Sequence, residues 1–439
     1  MAPSKVQFVA RPGGRLSGTL RVPGDKSISH RSIMLGSLAE GVTRVSGFLE
    51  GADSLATLRA FCDMGVQIDG PKEGRVTIHG VGMWGLKAPA GPIDLGNSGT
   101  SMRLMSGLMA GQRMDLTLIG DESLSGRPMK RVTDPLAGMG ADIRTAPGGT
   151  APLHVCPVDG LRGVSYDMPV ASAQVKSCLL LAGMYAQGET CVTEPAPTRD
   201  HTERMLQGFG YEVRREGSRA CLNGGGKLLA CDIDVPADIS SAAFFLVAAS
   251  IAEGSDLLLE HVGMNPTRDG VVNILRLMGA DIEVLNSREV GGEPVADLRV
   301  RAAPLRGIRI PQEQVPLAID EFPVLFVAAA CAQGETVLTG AEELRVKESD
   351  RIQVMADGLA ALGVDARATA DGIVIQGGSI GGGLVNSHGD HRIAMAFTMA
   401  ALRAEGDIVI DDCANVDTSF PRFVQLAAGV GVRVESRDV

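Results

Sequence analysis

Two short runs in the C-terminal half hold the residues best suited to chemistry. Pro316 to Pro323 sets Asp320 and Glu321 side by side in an otherwise apolar stretch. A carboxylate partly withdrawn from water there would have its pKa raised toward useful acid–base values. Leu344 to Arg351 alternates Arg345, Lys347, Glu348, Asp350 and Arg351 ahead of a helix, and Gly389-Asp390-His391-Arg392 repeats that layout one unit later.

The N-terminal half supplies cations and hydroxyls. Lys26, Ser27, His30 and Arg31 cluster at a helix start, where backbone N–H groups, an ammonium and a hydroxyl suit a phosphate or carboxylate. Asn97, Ser98, Gly99, Thr100 and Ser101 precede another helix, with Arg103 one turn in, and Arg127, Lys130 and Arg131 follow within residues 120–131. Taken alone, ordinary capping or a solvated charge run explains each nearly as well. Gly18 to Ser27 is not a nucleotide loop, because five residues separate its glycines and Asp25 precedes the lysine. Together the runs describe a site for a small substrate carrying several negative charges.

The elements that position these residues are repeated. A run of small apolar residues closes on a glycine and enters a β-rich stretch six times, at Gly41, Gly111, Gly188, Gly254, Gly334 and Gly406. After each, an amphipathic helix closes on a second glycine, at 65, 140, 210, 279, 363 and 431. Glycine just past a helix end is the expected left-handed cap. Six α+β units of about 70 residues follow. They divide most simply into a lobe of residues 23–237 and a second of 1–22 plus 238–439, the first strand, 6–22, joining the C-terminal half. Two such lobes would place a ligand cleft between them.

Composition excludes several classes. Acidic residues outnumber basic ones 52 to 41, for a net charge of −11, and aromatics are 3%, which argues against a nucleic-acid partner. Ala242 to Ala252, the longest uncharged apolar segment, is about half of the ~20 residues a membrane span requires. No signal-peptide pattern opens the chain, so a soluble cytoplasmic protein is expected. The eight cysteines include no C-x-x-C, and no histidine is read at metal-ligand spacing beside one. They are expected as single buried thiols in a reducing cytosol, with no metal site.

Nine motifs, in order from about residue 10 to 430, carry a resemblance: PGDKSISHRS, LGNSGTSMR, DESLSGRPMKR, SAQVKS, TRDHTE, AIDEFP, RVKESDR, GDHRIAM and TSFP. The set resembles the 3-phosphoshikimate 1-carboxyvinyltransferase (EPSP synthase) family, in its divergent, class II-like branch. The resemblance implies an α/β, two-lobed enolpyruvyl transferase fold of six βαβαββ units, three per lobe. It implies transfer of the enolpyruvyl group of phosphoenolpyruvate to the 5-hydroxyl of shikimate 3-phosphate, by a monomer without cofactor, metal, nucleic acid or membrane. On this resemblance Lys26, Ser27, Arg31, Ser172, Ala173, Gln174, Asp320 and Lys347 hold shikimate 3-phosphate, Ala173 through its backbone in a strand. Lys26, Gly99, Arg127, Gln174, Arg351 and Arg392 hold phosphoenolpyruvate, and Asp320, Glu348 and Lys26 handle protons. Arg199, Asn97 and His391 are further candidates.

Two departures from the family pattern stand out. Many members have a lysine before the turn that reads Thr418-Ser419-Phe420-Pro421 here, and many glyphosate-tolerant members of this branch have alanine at Gly99. Some glyphosate sensitivity is therefore expected. The sister enzyme acting on UDP-N-acetylglucosamine is disfavoured by Lys26-Ser27, where it carries Lys-Asn, and by the lack of any cysteine between Cys62 and Cys156. A non-catalytic repeat scaffold is the reading from another class.

Overall fold

A computed structural model describes residues 6–439. The chain forms two compact units. One comprises the described residues up to Pro23 with Pro236–Glu289 and Pro294–Val439, and the other Gly24–Val235 with Val290–Glu293. Those last four residues leave the group in which the sequence places them because Gly292 O accepts from Arg204 and Glu293 from His201, at 2.8 and 2.7 Å.

Each unit is built on three nearly wholly buried helices. In one they are Lys26–Leu38, Gly99–Gly111 and Ala173–Gly183. In the other they are Ile239–Ile251, Phe322–Cys331 and His391–Ala400. Small residues let them approach closely: a Cβ on Gly107 would lie 2.1 Å from the carbonyl oxygen of Cys178. Outside these lie amphipathic helices, and each ends where the spacing places a glycine. Gly65 and Gly279, for example, follow their helices at φ +88° and +98°.

The strands repeat one plan. Ile93–Asp94 pairs in parallel with Leu116–Ile119, which pairs antiparallel with Thr150–Cys156 and that in turn with Asp142–Ala146. Leu116, Leu118, Leu153 and Val155 are buried, so alternation sends their neighbours to the other face. The expected single strand over 6–22 is two strands in two sheets. Val6–Ala10 pairs with Ile408–Asp411 and Val434–Asp438, and Ser17–Leu20 with Asp256–Gly263. The break falls at Gly13 and Gly14, whose φ values of +72° and +119° no extended strand allows.

The cysteines depart from expectation too. Cys191 and Cys221 stand directly opposite on antiparallel strands with Cα atoms 4.1 Å apart, and they form a disulfide. The pairing depends on a register that residue spacing alone does not reveal.

Candidate active site

Short polar residues cap the buried helices and bring the charged side chains to their N-terminal ends. In the unit containing Lys26, Asp25 accepts from the Ile28 N–H at 2.9 Å and starts the helix that carries Lys26, Ser27 and Arg31. Lys26 forms an ion pair with Asp53, a partner the motifs do not reveal because it lies on the next helix. Arg31 is buried, with Nε on Thr202 Oγ1 at 2.7 Å, Nη1 on the Ser27 carbonyl at 2.9 Å and Nη2 on Ser177 Oγ at 2.9 Å. Burial, ahead of all other causes, pulls its pKa down to about 10. Arg199 is half-buried, and its charge opposes that of Arg31.

Ser98 caps the helix beginning at Gly99 by accepting from the Ser101 N–H at 3.1 Å. Asn97 Oδ1 accepts from Arg127 at 2.6 Å, and its amide donates to Asp121 at 2.7 Å. Arg127 also reaches Ser123 Oγ at 3.3 Å. A Cβ on Gly99 would lie 3.1 Å from Arg127 Nη1 and 3.4 Å from Arg103 Nη1. Arg103 donates to Gln174 Oε1, and Gln174 Nε2 donates to Thr100 Oγ1 at 3.1 Å. Gln174 is therefore held by the helix that carries Gly99. Ser172 caps its own helix by accepting from Val175 N–H at 3.3 Å, so Ala173 is a first helical residue and not part of a strand. A short polar residue before an apolar run starts a helix here.

The other unit gathers its residues around Arg351, whose side chain is 1% exposed. Nη1 is 3.3 Å from Asp320 Oδ1, Nη2 is 2.6 Å from Glu348 Oε2, and Nε is 2.8 Å from Asp390 Oδ2. Burial works to lower the Arg351 pKa, but Asp390, Glu348 and Asp320 together hold it above its ordinary value. Lys347 Nζ approaches Asp320 Oδ1 at 3.5 Å. The apolar stretch supplies burial for Asp320, as its 15% exposure shows, but its neighbours are cations. Glu348 is more open, at 33%.

Asp390 caps the helix that begins at His391 by accepting from the Arg392 N–H at 2.9 Å, and Ser349 Oγ donates to it at 3.0 Å. Arg392 Nη1 donates to the Asp320 carbonyl at 3.0 Å, tying two helix starts together. His391 is half-buried beside Asp390. Asp390 is the residue sequence reasoning leaves without a role. The signal for it is present in GDHR, as an aspartate directly before a helix start.

In one unit, then, Asp320, Lys347, Glu348, Arg351 and Arg392 form one connected cluster. In the other, Asn97 with Arg127, and Gln174 with Arg103 and Thr100, form linked pairs around Gly99. Two carboxylates with partial solvent access beside guanidinium groups can move protons on a bound anion.

A family model described as EPSP synthase (3-phosphoshikimate 1-carboxyvinyltransferase) matches residues 10–426. The chain is 72% identical over 434 residues to the 3-phosphoshikimate 1-carboxyvinyltransferase of Alkalilimnicola ehrlichii, covering 99% of this chain and 97% of that one. It is 70% identical to that of Methylococcus capsulatus, covering 98% of each. Among solved structures, the EPSP synthase from Acinetobacter baumannii is 58% identical with a TM-score of 0.91, covering 99% of this chain and all of that one.

Proposed function

The chain belongs to the EPSP synthase (3-phosphoshikimate 1-carboxyvinyltransferase) family, and from that premise we propose which of its side chains perform the family's reaction. The fold is the two-lobed α/β enolpyruvyl transferase fold. The reaction transfers the enolpyruvyl group of phosphoenolpyruvate to the 5-hydroxyl of shikimate 3-phosphate and releases phosphate, a step of aromatic amino acid biosynthesis.

In our assignment Asp320 takes the 5-hydroxyl proton as that oxygen bonds to C2 of phosphoenolpyruvate. Glu348, with Lys26, delivers a proton to C3, which gives a tetrahedral intermediate. A C3 proton then returns to Glu348 while phosphate departs, carrying the proton that Asp320 had taken, and both acids are restored. Lys26, Ser27, Arg31, Ser172, the Ala173 backbone, Gln174, Asp320 and Lys347 are assigned to shikimate 3-phosphate. Lys26, Gly99, Arg127, Gln174, Arg351 and Arg392 are assigned to phosphoenolpyruvate, with Asn97 orienting Arg127. Arg199 and His391 are assigned as further substrate contacts. Guanidinium groups suit this work because their planar forks bind phosphate and carboxylate in two-point contacts.

The observation that carries the assignment is the single buried guanidinium of Arg351 holding Asp320 and Glu348 at once. Each acid keeps some access to solvent, at 15% and 33% exposure. The reading extends to a cytoplasmic monomer. Among the described residues no helix is long and apolar enough to cross a membrane.

The test is phosphate release from the purified protein, which should require both substrates and fall at least ~100-fold in Asp320→Asn, as a lost general acid–base group predicts. Undiminished release in that variant would remove Asp320 from the chemistry.

A further inference from the structure

Beyond the transfer reaction, the sheet of the second repeat carries a separate group of ligand-type side chains. His154 and Cys156 are two apart in the strand Thr150–Cys156, whose buried face is made by Leu153 and Val155, so both turn to the other face. Asp115 immediately precedes the neighbouring strand, where Leu116 stands opposite Val155. Asp115, His154 and Cys156 can each bring one ligand atom within 4.8 Å of the other two. A histidine two residues from a cysteine becomes a same-face pair only once the segment is a strand, which is why the sequence reading passes over it.

We propose that Asp115, His154 and Cys156 form a binding site for a zinc-class divalent transition metal ion, with a fourth position open to water. His154 Nε2 lies 3.3 Å from Asp115 Oδ2. Two ligand atoms on a tetrahedral zinc, at about 2.0–2.1 Å each, are themselves about 3.3 Å apart. The second ring nitrogen is already occupied: His154 Nδ1 is 3.1 Å from Thr117 Oγ1. Such a bond fixes the ring and leaves Nε2 for the metal. Thiolate and imidazole together select zinc-class ions over magnesium or calcium. Arg144, on the next strand, is paired with Asp142 at 3.2 Å. Asp115 is exposed and the other two ligands are half-buried, which gives an ion a path in.

The test is titration of the full chain with cobalt(II) chloride, followed by zinc(II) chloride. A thiolate-to-cobalt charge-transfer band and tetrahedral d–d bands should appear at one equivalent and disappear when zinc is added. Cys156→Ser should abolish the charge-transfer band. Affinity should fall at least about tenfold in His154→Gln and about tenfold in Thr117→Val, which removes only the ring's anchor. Absence of the band in the unmodified chain would overturn the site. So would its survival in Cys156→Ser, which would place it on another thiol, or an affinity unchanged by His154→Gln.

Discussion

Arg351 and Asp390 form a buried ion pair, Nε to Oδ2 at 2.8 Å, with side chains 1% and 0% exposed. Because the same guanidinium holds Asp320 and Glu348, Asp390 anchors the group that orients both acids. Burial first, and Glu348 after it, work to raise the Asp390 pKa, but the charge and hydrogen bond of Arg351 together with His391 hold the carboxyl below its ordinary range. Asp390→Asn keeps an oxygen to cap Arg392 N–H but removes the charge. We predict a stability loss of about 3 kcal/mol, the low end for breaking a buried pair, since two other carboxylates still face Arg351. A depressed carboxylate contributes above its unfolded pKa of about 3.9, and that contribution is lost as pH falls through the lower folded value. Thermal midpoints of the two proteins should therefore differ at pH 7 and begin to converge only as the pH falls below about 4. Equal midpoints at pH 7 would refute the anchoring role.

Local signals made much of this legible. All six glycines of the second marker series, from Gly65 to Gly431, follow helix ends at positive φ, because that conformation is a property of a single residue. Of the first series, Gly41, Gly188, Gly254 and Gly334 are at positive φ, Gly111 ends a helix, and Gly406 does neither. The helix starts at Lys26, Gly99 and His391 were readable because capping is local too: Asp25, Ser98 and Asp390 each precede the helix they cap. What escaped depends on register and tertiary packing. Asp53 meets Lys26 from a different helix, Cys191 meets Cys221 across a sheet, and Arg351 is buried by carboxylates from three segments. The strand that the resemblance implies at Ala173 is instead a helix start, because Ser172 caps it.

His30 provides a pH dependence of opposite origin. It is fully buried, with Nδ1 at 2.8 Å from Thr57 Oγ1 and 3.3 Å from Ser101 Oγ. Burial first, then the charges of Lys26 and Arg31 with Asp53 opposing, push its pKa down to about 3. The unfolded chain takes up this proton near pH 6.5 and the folded chain does not, so stability is full above about 6.5 and declines below it, by up to about 1.4 kcal/mol per unit. Between pH 7 and 5 the native protein should lose about 2 kcal/mol more than His30→Gln. Parallel urea midpoints for the two proteins across that range would contradict this.

Lys176 tests a different buried network. Its side chain is 0% exposed and lies 2.9 Å from Glu194 and 2.8 Å from Glu203, while Arg215 reaches both acids at 3.0 Å. Lys176→Met leaves the two carboxylates with only Arg215 between them, and should cost about 3–5 kcal/mol. Glu203 adjoins Thr202, the partner of Arg31 Nε, so the segment from Glu194 to Glu203 should loosen with it. Amide exchange in that segment should quicken alongside a lower thermal midpoint. Unchanged exchange there would mean that Lys176 only fills space.

In the proposed assignment, Gly99 would set how much room phosphoenolpyruvate has beside Arg127. Its φ is ordinary, so alanine fits the backbone, but the added methyl carbon would lie 3.1 Å from Arg127 Nη1 and 3.4 Å from Arg103 Nη1. Those contacts end on flexible guanidinium groups, which can move, so folding should be little affected. Binding should not escape, because Arg127 is also held by Asn97 at 2.6 Å and cannot shift without loosening that bond. Crowding of about 1 kcal/mol corresponds to roughly a fivefold loss of affinity. Gly99→Ala should thus raise the KM for phosphoenolpyruvate about fivefold. The glyphosate concentration needed for half-inhibition should rise by at least as much, because the inhibitor is expected to compete for the same anion contacts. The native enzyme should be inhibited below millimolar glyphosate. A flat inhibition curve for the native protein, or identical curves for the two, would show that Arg127 and Gly99 do not bound the phosphoenolpyruvate pocket.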